Sequence, residues 1–208
     1  MAGVRVACRV MPTEPVTGSA EFWTALRAGH PGFREAVRAD ASVTAMYRGE
    51  RHAFRSGFDA ALQSARLAIV SDAFLAQALY RLKARLQALR VPLAPRVAHR
   101  FAIVFGQVAV GDPVIVHPGV YLIHGQVVID GLVEIHSGVV IAPFVTIGLR
   151  AGELRGATIE RDVSIGTGAR IIGPVRIGEG ATVGANAVVV HDVPAGATVA
   201  GVPARPLG

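Results

Sequence analysis

Apolar residues recur along this chain with two different periods, and the change falls near residue 106. From about Glu21 to Gly106 the apolar spacing is three to four and β-branched residues are sparse, which predicts helices. Phe22, Trp23 and Leu26 fit a first short helix that ends at the turn cluster Gly29-His30-Pro31-Gly32. Phe33 to Tyr47 gives a second. A third follows Ser56-Gly57 and carries Phe58, Ala61, Leu62, Ala65 and Ile69 on one face. A fourth, capped by Ser71 or Asp72, carries Phe74, Leu75, Leu79, Leu82, Leu86 and Leu89 until Pro92 and Pro95 close it. Arg96 to Phe105 predicts a last short helix.

Beyond Val108 the period becomes six. The column runs Val110, Val116, Leu122, then Ile129, Ile135, Ile141, Ile147, then Ile159, Ile165, Ile171, Ile177, Val183 and Val189. A six-residue period predicts a parallel β-helix in which each short strand turns one side chain inward and successive coils stack on a single core. With three hexads per coil and coils about 4.8 Å apart, the prism has about five coils and stands roughly 24 Å tall. The column slips by one residue between Leu122 and Ile129, and His124 sits inside the slip. The stretch 150–156 departs from the repeat without losing its frame, and is expected to loop outward. The fold class is therefore α+β, divided into an N-terminal segment 1–20, a helical domain 21–106 and a β-helix domain 107–208.

Composition narrows the setting. A net charge of +6 and a pI near 10.6 favour an anionic partner. The basic residues cluster before residue 101, with Arg81, Lys83, Arg85 and Arg90 on one helix, and no aromatic residues alternate with them as stacking platforms would. They read as a solvated helix face, with no nucleic acid expected. Despite a mean hydropathy of +0.45, no uncharged run is long enough to span a bilayer, so no membrane is expected. Cys8 is the single cysteine, which favours a reducing cytoplasmic setting.

The candidate chemistry lies on the prism's outer walls, because the interior is filled. His124 leads: an imidazole at a re-aimed corner suits proton abstraction from an acceptor hydroxyl or amine. His117 and His136 are spaced by about one coil and with His124 raise the question of zinc, but His-Pro-Gly and His-Ser-Gly are ordinary corner sequences, and no metal is expected. His191 reads as a corner residue.

The hexads, the helical region, the His-Gly bulge, the outward loop and the segment IIGPVRIGEGATVGANAVVVHDVPAGATVAGVPARPLG together resemble the serine acetyltransferase group of left-handed β-helix acyltransferases. The resemblance implies acetyl-CoA as donor, a small-molecule acceptor and a homotrimer with sites between subunits, and leaves open a dimer of trimers through the helical domain. It implies His124 as general base, Arg155 and Asp40 toward the acceptor, and the donor along Gly148, Gly166, Thr167, Gly168, Gly184 and Ala185 with Arg205 for phosphate. This chain departs from the pattern at several points. Where the family carries the carboxylate that orients its histidine, this chain has Ala109 or Ile115. Ile123 stands where the family has the aspartate just before that histidine, and Gly156 where it has a second histidine. Asp112 and Asp130 are then the available substitutes. The departures leave the acceptor open, serine included, and no sulfhydrylase complex is expected. A non-catalytic CoA-binding scaffold and a γ-carbonic-anhydrase-like zinc enzyme are the competing readings.

Overall fold

A computed structural model of the chain describes residues 19–207, so that residues 1–18, including Cys8 and nearly all of the expected N-terminal segment, lie outside the described residues. Five helices come first: α1 (Ala20–Gly29), α2 (Phe33–Tyr47), α3 (Gly57–Val70), α4 (Asp72–Ala88) and α5 (Ala94–Gly106). Hydroxyl caps start three of them, with Ser19, Ser56 and Ser71 accepting from the backbone N–H of Phe22, Asp59 and Phe74. Among the described residues no helix is long and apolar enough to cross a membrane.

The prism begins with β1 (Val108–Val110), β2 (Ile115–Val116) and β3 (Tyr121–Leu122), one strand on each face. The second coil is β4 (Val127–Ile129), β5 (Leu132–Ile135) and β6 (Val140–Ile141), and the third opens with β7 (Thr146–Gly148) and β8 (Arg155–Ile159). Repetition of this order gives three sheets of five, four and six strands. All neighbouring strands are parallel except the last pair, β14 (Thr198–Ala200) with β15 (Arg205–Pro206). Val110 lies over Ile129 whereas Ile129 lies over Ile147, so the coil that contains His124 is one residue longer than the next.

Every member of the six-residue column is buried, at 7% exposure or less. The expectation of one inward side chain per hexad is corrected to two. Val108, Val114, Val120, Val127, Val133, Val139, Val145, Ala157, Val163 and Ala169 are also buried, each two residues before a column member. Alternating strand geometry sends both to the same side, and small Val and Ala beside Ile fill a narrow triangular section.

The helical domain closes the top of the prism. The first coil has no coil above it, so its backbone groups on that side need other partners. α4 supplies them: Gln77 Nε2 donates to Val120 O (2.9 Å), Tyr80 OH to Val114 O (2.8 Å), and Lys83 Nζ to Val110 O (2.6 Å). Arg81 donates to Val116 O and to His117 O (2.9 Å for the latter) while pairing with Asp40 Oδ2 at 2.9 Å. The reading of these basic residues as a solvated face holds for Arg85 and Arg90, which are exposed, and is corrected for Arg81 and Lys83, which are 3% and 1% exposed. A second correction concerns α3, whose spacing-defined apolar face points outward. Phe58 is 80%, Leu62 57% and Ile69 85% exposed, while Ala60 and Leu67 are buried.

His30, at the end of α1, sits against Tyr80 with ring centroids 6.2 Å apart, its Nδ1 buried without a hydrogen-bond partner among the described residues. Burial first, then the positive Arg81 and Lys83, hold it down to about 4, against a small opposing effect of Asp112. A histidine kept neutral in the fold but free to protonate when unfolded costs nothing above its ordinary value near 6.5, and destabilises progressively as pH falls from there toward 4. His30 should therefore remove about 3 kcal/mol of stability across that window. Urea unfolding at stepped pH should show a shallower acid loss in His30→Leu than in the parent, and an identical loss would refute the assignment.

Candidate active site

The chain turns from the third face of the prism back to the first at His124, where the end of α5 and the coil below hold the backbone. On its near side Ile123 N donates to Ile141 O in the coil below (3.0 Å). On its far side Gly125 is pressed against the end of α5, where an added Cβ would lie 2.1 Å from Gly106 O. Only glycine permits that approach. Gln126 follows with a left-handed φ of +65°, and the N–H groups of Gln126 and Val127 both donate to Gln107 O. The extra residue is thus anchored to the helical domain, and the His124 side chain stands out at 69% exposure.

A carboxylate accompanies it from a distant part of the sequence. Ser71 is the N-cap of α4, so Asp72 occupies the first helical position and is free to face outward. Its Oδ1 accepts from Ala73 N at 2.8 Å and lies 3.7 Å from His124 Nδ1, an ion-pair distance rather than a hydrogen bond. The two expected substitutes are elsewhere. Asp112 is 3.1 Å from Lys83 Nζ, and Asp130 accepts from its own neighbour Gly131 N, both on the corner between the first and second faces. Asp72 was overlooked because spacing along the chain cannot reveal that the start of α4 meets the end of the first coil.

Beneath His124 the same edge continues downward. Ala142 N donates to Ile165 O, Gly166 N to Val183 O, and Gly184 N to Val199 O, so the corners Gly166-Thr167-Gly168 and Gly184-Ala185 stack below it. A Cβ on Gly166 would lie 2.7 Å from Ala185 N, so this rung tolerates no side chain. At the foot, exposed Arg205 is paired with Ala200, which touches Gly184 from below. One edge therefore carries His124, Gly166, Thr167, Gly168, Gly184, Ala185 and Arg205.

Gly148 and Arg155 lie on another edge, between the first and second faces, at the two ends of the outward excursion. That excursion is shorter than the 150–156 read from sequence, because Leu132 N donates to Leu154 O and β8 already begins at Arg155. The register shift between Leu132 and Glu134 makes a bulge there, and a Cβ on Gly156 would meet Val133 Cγ2 at 2.4 Å. A histidine at position 156 is sterically excluded.

Asp40 is not a surface group. It is 1% exposed, accepts from Gly119 N at 2.9 Å and pairs with Arg81, while burial pushes its carboxyl up against the lowering effect of Arg81. Its expected place beside the acceptor is corrected: a carboxylate enclosed by α2, α4 and the first coil cannot touch a bound molecule. His117 and His136 meet each other but not His124, and His191 is an exposed corner residue.

Residues 156–191 match the family model described as bacterial transferase hexapeptide (six repeats). A serine acetyltransferase of Bacillus licheniformis is 41% identical over 99 residues, covering 43% of this chain and 46% of that protein. One from Mycobacterium tuberculosis is 39% identical over 122 residues, covering 54% and 52%. The match thus spans about half the length of these curated relatives. Soybean serine acetyltransferase complexed with serine superposes with a TM-score of 0.69 at 30% identity, covering 86% of this chain and 71% of that one.

Proposed function

The chain belongs to the serine acetyltransferase-like hexapeptide-repeat acyltransferases, and from that membership we propose that it transfers an acetyl group from acetyl-CoA to a small hydroxyl or amine acceptor, with His124 as general base. The observation that carries the proposal is the single edge on which His124 stands above two side-chain-poor glycine corners and Arg205. A long, thin donor needs such an edge: exposed backbone for close approach, a cation for its phosphates and a base beside its thioester.

In the proposed step the Asp72 carboxylate, 3.7 Å from His124 Nδ1, favours the tautomer protonated at Nδ1 and leaves Nε2 unprotonated. Nε2 takes the acceptor's proton as its oxygen or nitrogen bonds to the thioester carbonyl carbon. Collapse of the tetrahedral intermediate breaks the C–S bond, and the imidazolium returns the proton to the departing thiolate. Asp72 acts through the histidine and is a positioning residue. Asp72→Asn should lower kcat about tenfold with the donor KM unchanged, and Asp72→Glu should restore most of it. Equal effects of both substitutions, or a change confined to KM, would remove Asp72 from this role.

His124 and Arg155 stand on different edges of one prism. This supports a homotrimer in which the His124 edge of one copy faces the Arg155 edge of the next, with Gly148 beside the donor there. The relatives' name supports serine as one acceptor to try, whereas Ile123 and Gly156 favour a different one. Thiol release from acetyl-CoA over a panel of hydroxyl and amine acceptors, L-serine among them, tests the reading. Donor binding with no turnover on any acceptor would favour the non-catalytic alternative.

A further inference from the structure

Two histidines unused by the proposed chemistry meet on the edge between the second and third faces. His117 follows β2 and His136 follows β5, and Val116 lies over Ile135, so the two corners stack one coil apart. Their rings are parallel, with centroids 4.6 Å apart and planes inclined by 7°. Glu134, outward on β5, brings Oε1 to 2.8 Å from His117 Nε2 and 3.8 Å from His136 Nε2. One donor atom from each of the three residues lies within 4.8 Å of the other two.

The backbone beneath this cluster is held firmly. Arg81 donates to His117 O at 2.9 Å, and His136 N donates to Ile159 O at 2.9 Å. The three side chains are only 25%, 21% and 14% exposed for His117, Glu134 and His136. The hydrogen bond from His117 holds the Glu134 carboxyl below the usual carboxylate range, and burial holds His136 below the usual imidazole value.

We propose that His117, Glu134 and His136 bind a divalent transition-metal ion of the zinc class. Two imidazole nitrogens and one carboxylate oxygen are a donor set that suits such ions, and water completes it. Bonds of 2.0–2.1 Å in a tetrahedral site put neighbouring donor atoms about 3.3 Å apart. The two separations from Glu134 Oε1, 2.8 and 3.8 Å, lie on either side of that value. Both rings must tilt out of their parallel stack to aim at one point, a movement about the soft terminal torsion of histidine. Glu160, one coil below His136, stands outside the set because it pairs with Arg176 at 2.8 Å. The ion ties the first coil to the second on an edge other than that of His124, and the proposal holds whether or not the acyl-transfer reading does.

The test is zinc uptake by the full chain after chelator treatment, measured by competition with a chromophoric chelator. One zinc per chain and a raised melting temperature are expected. His117→Asn and His136→Asn should each weaken binding by at least about tenfold, judging that direct ligands matter no less than the groups that orient them. Glu134→Gln keeps the side chain's volume and serves if either histidine variant fails to fold, as judged by far-UV circular dichroism. His124→Ala should bind as the parent does. No uptake, or uptake that survives both His136→Asn and Glu134→Gln, overturns the proposal.

Discussion

Replacing His124 by alanine is expected to lower kcat/KM for thiol release from acetyl-CoA by about 10²–10⁴-fold while leaving the melting temperature within a few degrees of the parent. The magnitude is that of a lost general base. The separation of effects follows from the structure, in which the imidazole is 69% exposed and is paired with Asp72 at 3.7 Å. The backbone of this corner is held by Gly125 and Gln126 against α5, and neither contact involves the histidine side chain. His191→Ala is the matching control, being an exposed corner histidine of the same prism. Turnover by His124→Ala equal to that of the control would end the assignment of the base.

The largest loss of stability should come from a residue that the family comparison assigned to the acceptor. Asp40→Ala is expected to cost about 3–5 kcal/mol in urea unfolding at fixed protein concentration, because it strands a buried guanidinium. Arg81 is 3% exposed and has Asp40 as its ion-pair partner. Arg81→Met should cost a similar amount by a different route, since it leaves the carboxylate and the carbonyls of Val116 and His117 unmatched. The double variant should be less destabilised than the sum of the two, by 1 kcal/mol or more, as required of groups in direct contact. A cost under about 1 kcal/mol for Asp40→Ala would show that water reaches the site, and would reopen the question of what Asp40 binds.

Much of the architecture was legible in the sequence because the prism writes its period directly into the chain. Ile129, Ile135 and Ile141 could be assigned to the core by counting, and all three are fully buried. The second inward position escaped because Val and Ala there look like the β-branched and small residues of any strand. The five helices were legible from caps and breakers, but their orientation was not. Phe58, Leu62 and Ile69 form the more apolar face of α3, yet the helix packs through Ala60 and Leu67, whose neighbours come from other elements. Lys83 and Arg81 were misread for a related reason: burial of a cation depends on acceptors that the first coil exposes, and those lie 27 to 36 residues further along. His124 was found because a one-residue slip breaks a regular column. Asp72 was not, because nothing local distinguishes a helix-starting aspartate that meets a histidine from one that meets water.

The polar side chains of α4 also bear on how the protein behaves in a crowded solution. A stack of parallel strands grows readily at either end, since each exposed rung is a template for the next, and an identical prism is the best-fitting addition. Gln77, Tyr80, Arg81 and Lys83 occupy that template at one end. At the other end the chain turns back, and β15 runs antiparallel along β14. Loosening α4 would therefore do more than weaken one molecule. It would uncover a surface through which two prisms can join by their α4 ends, so that size-exclusion chromatography of variants at these four positions should show associated pairs before it shows unfolded monomers.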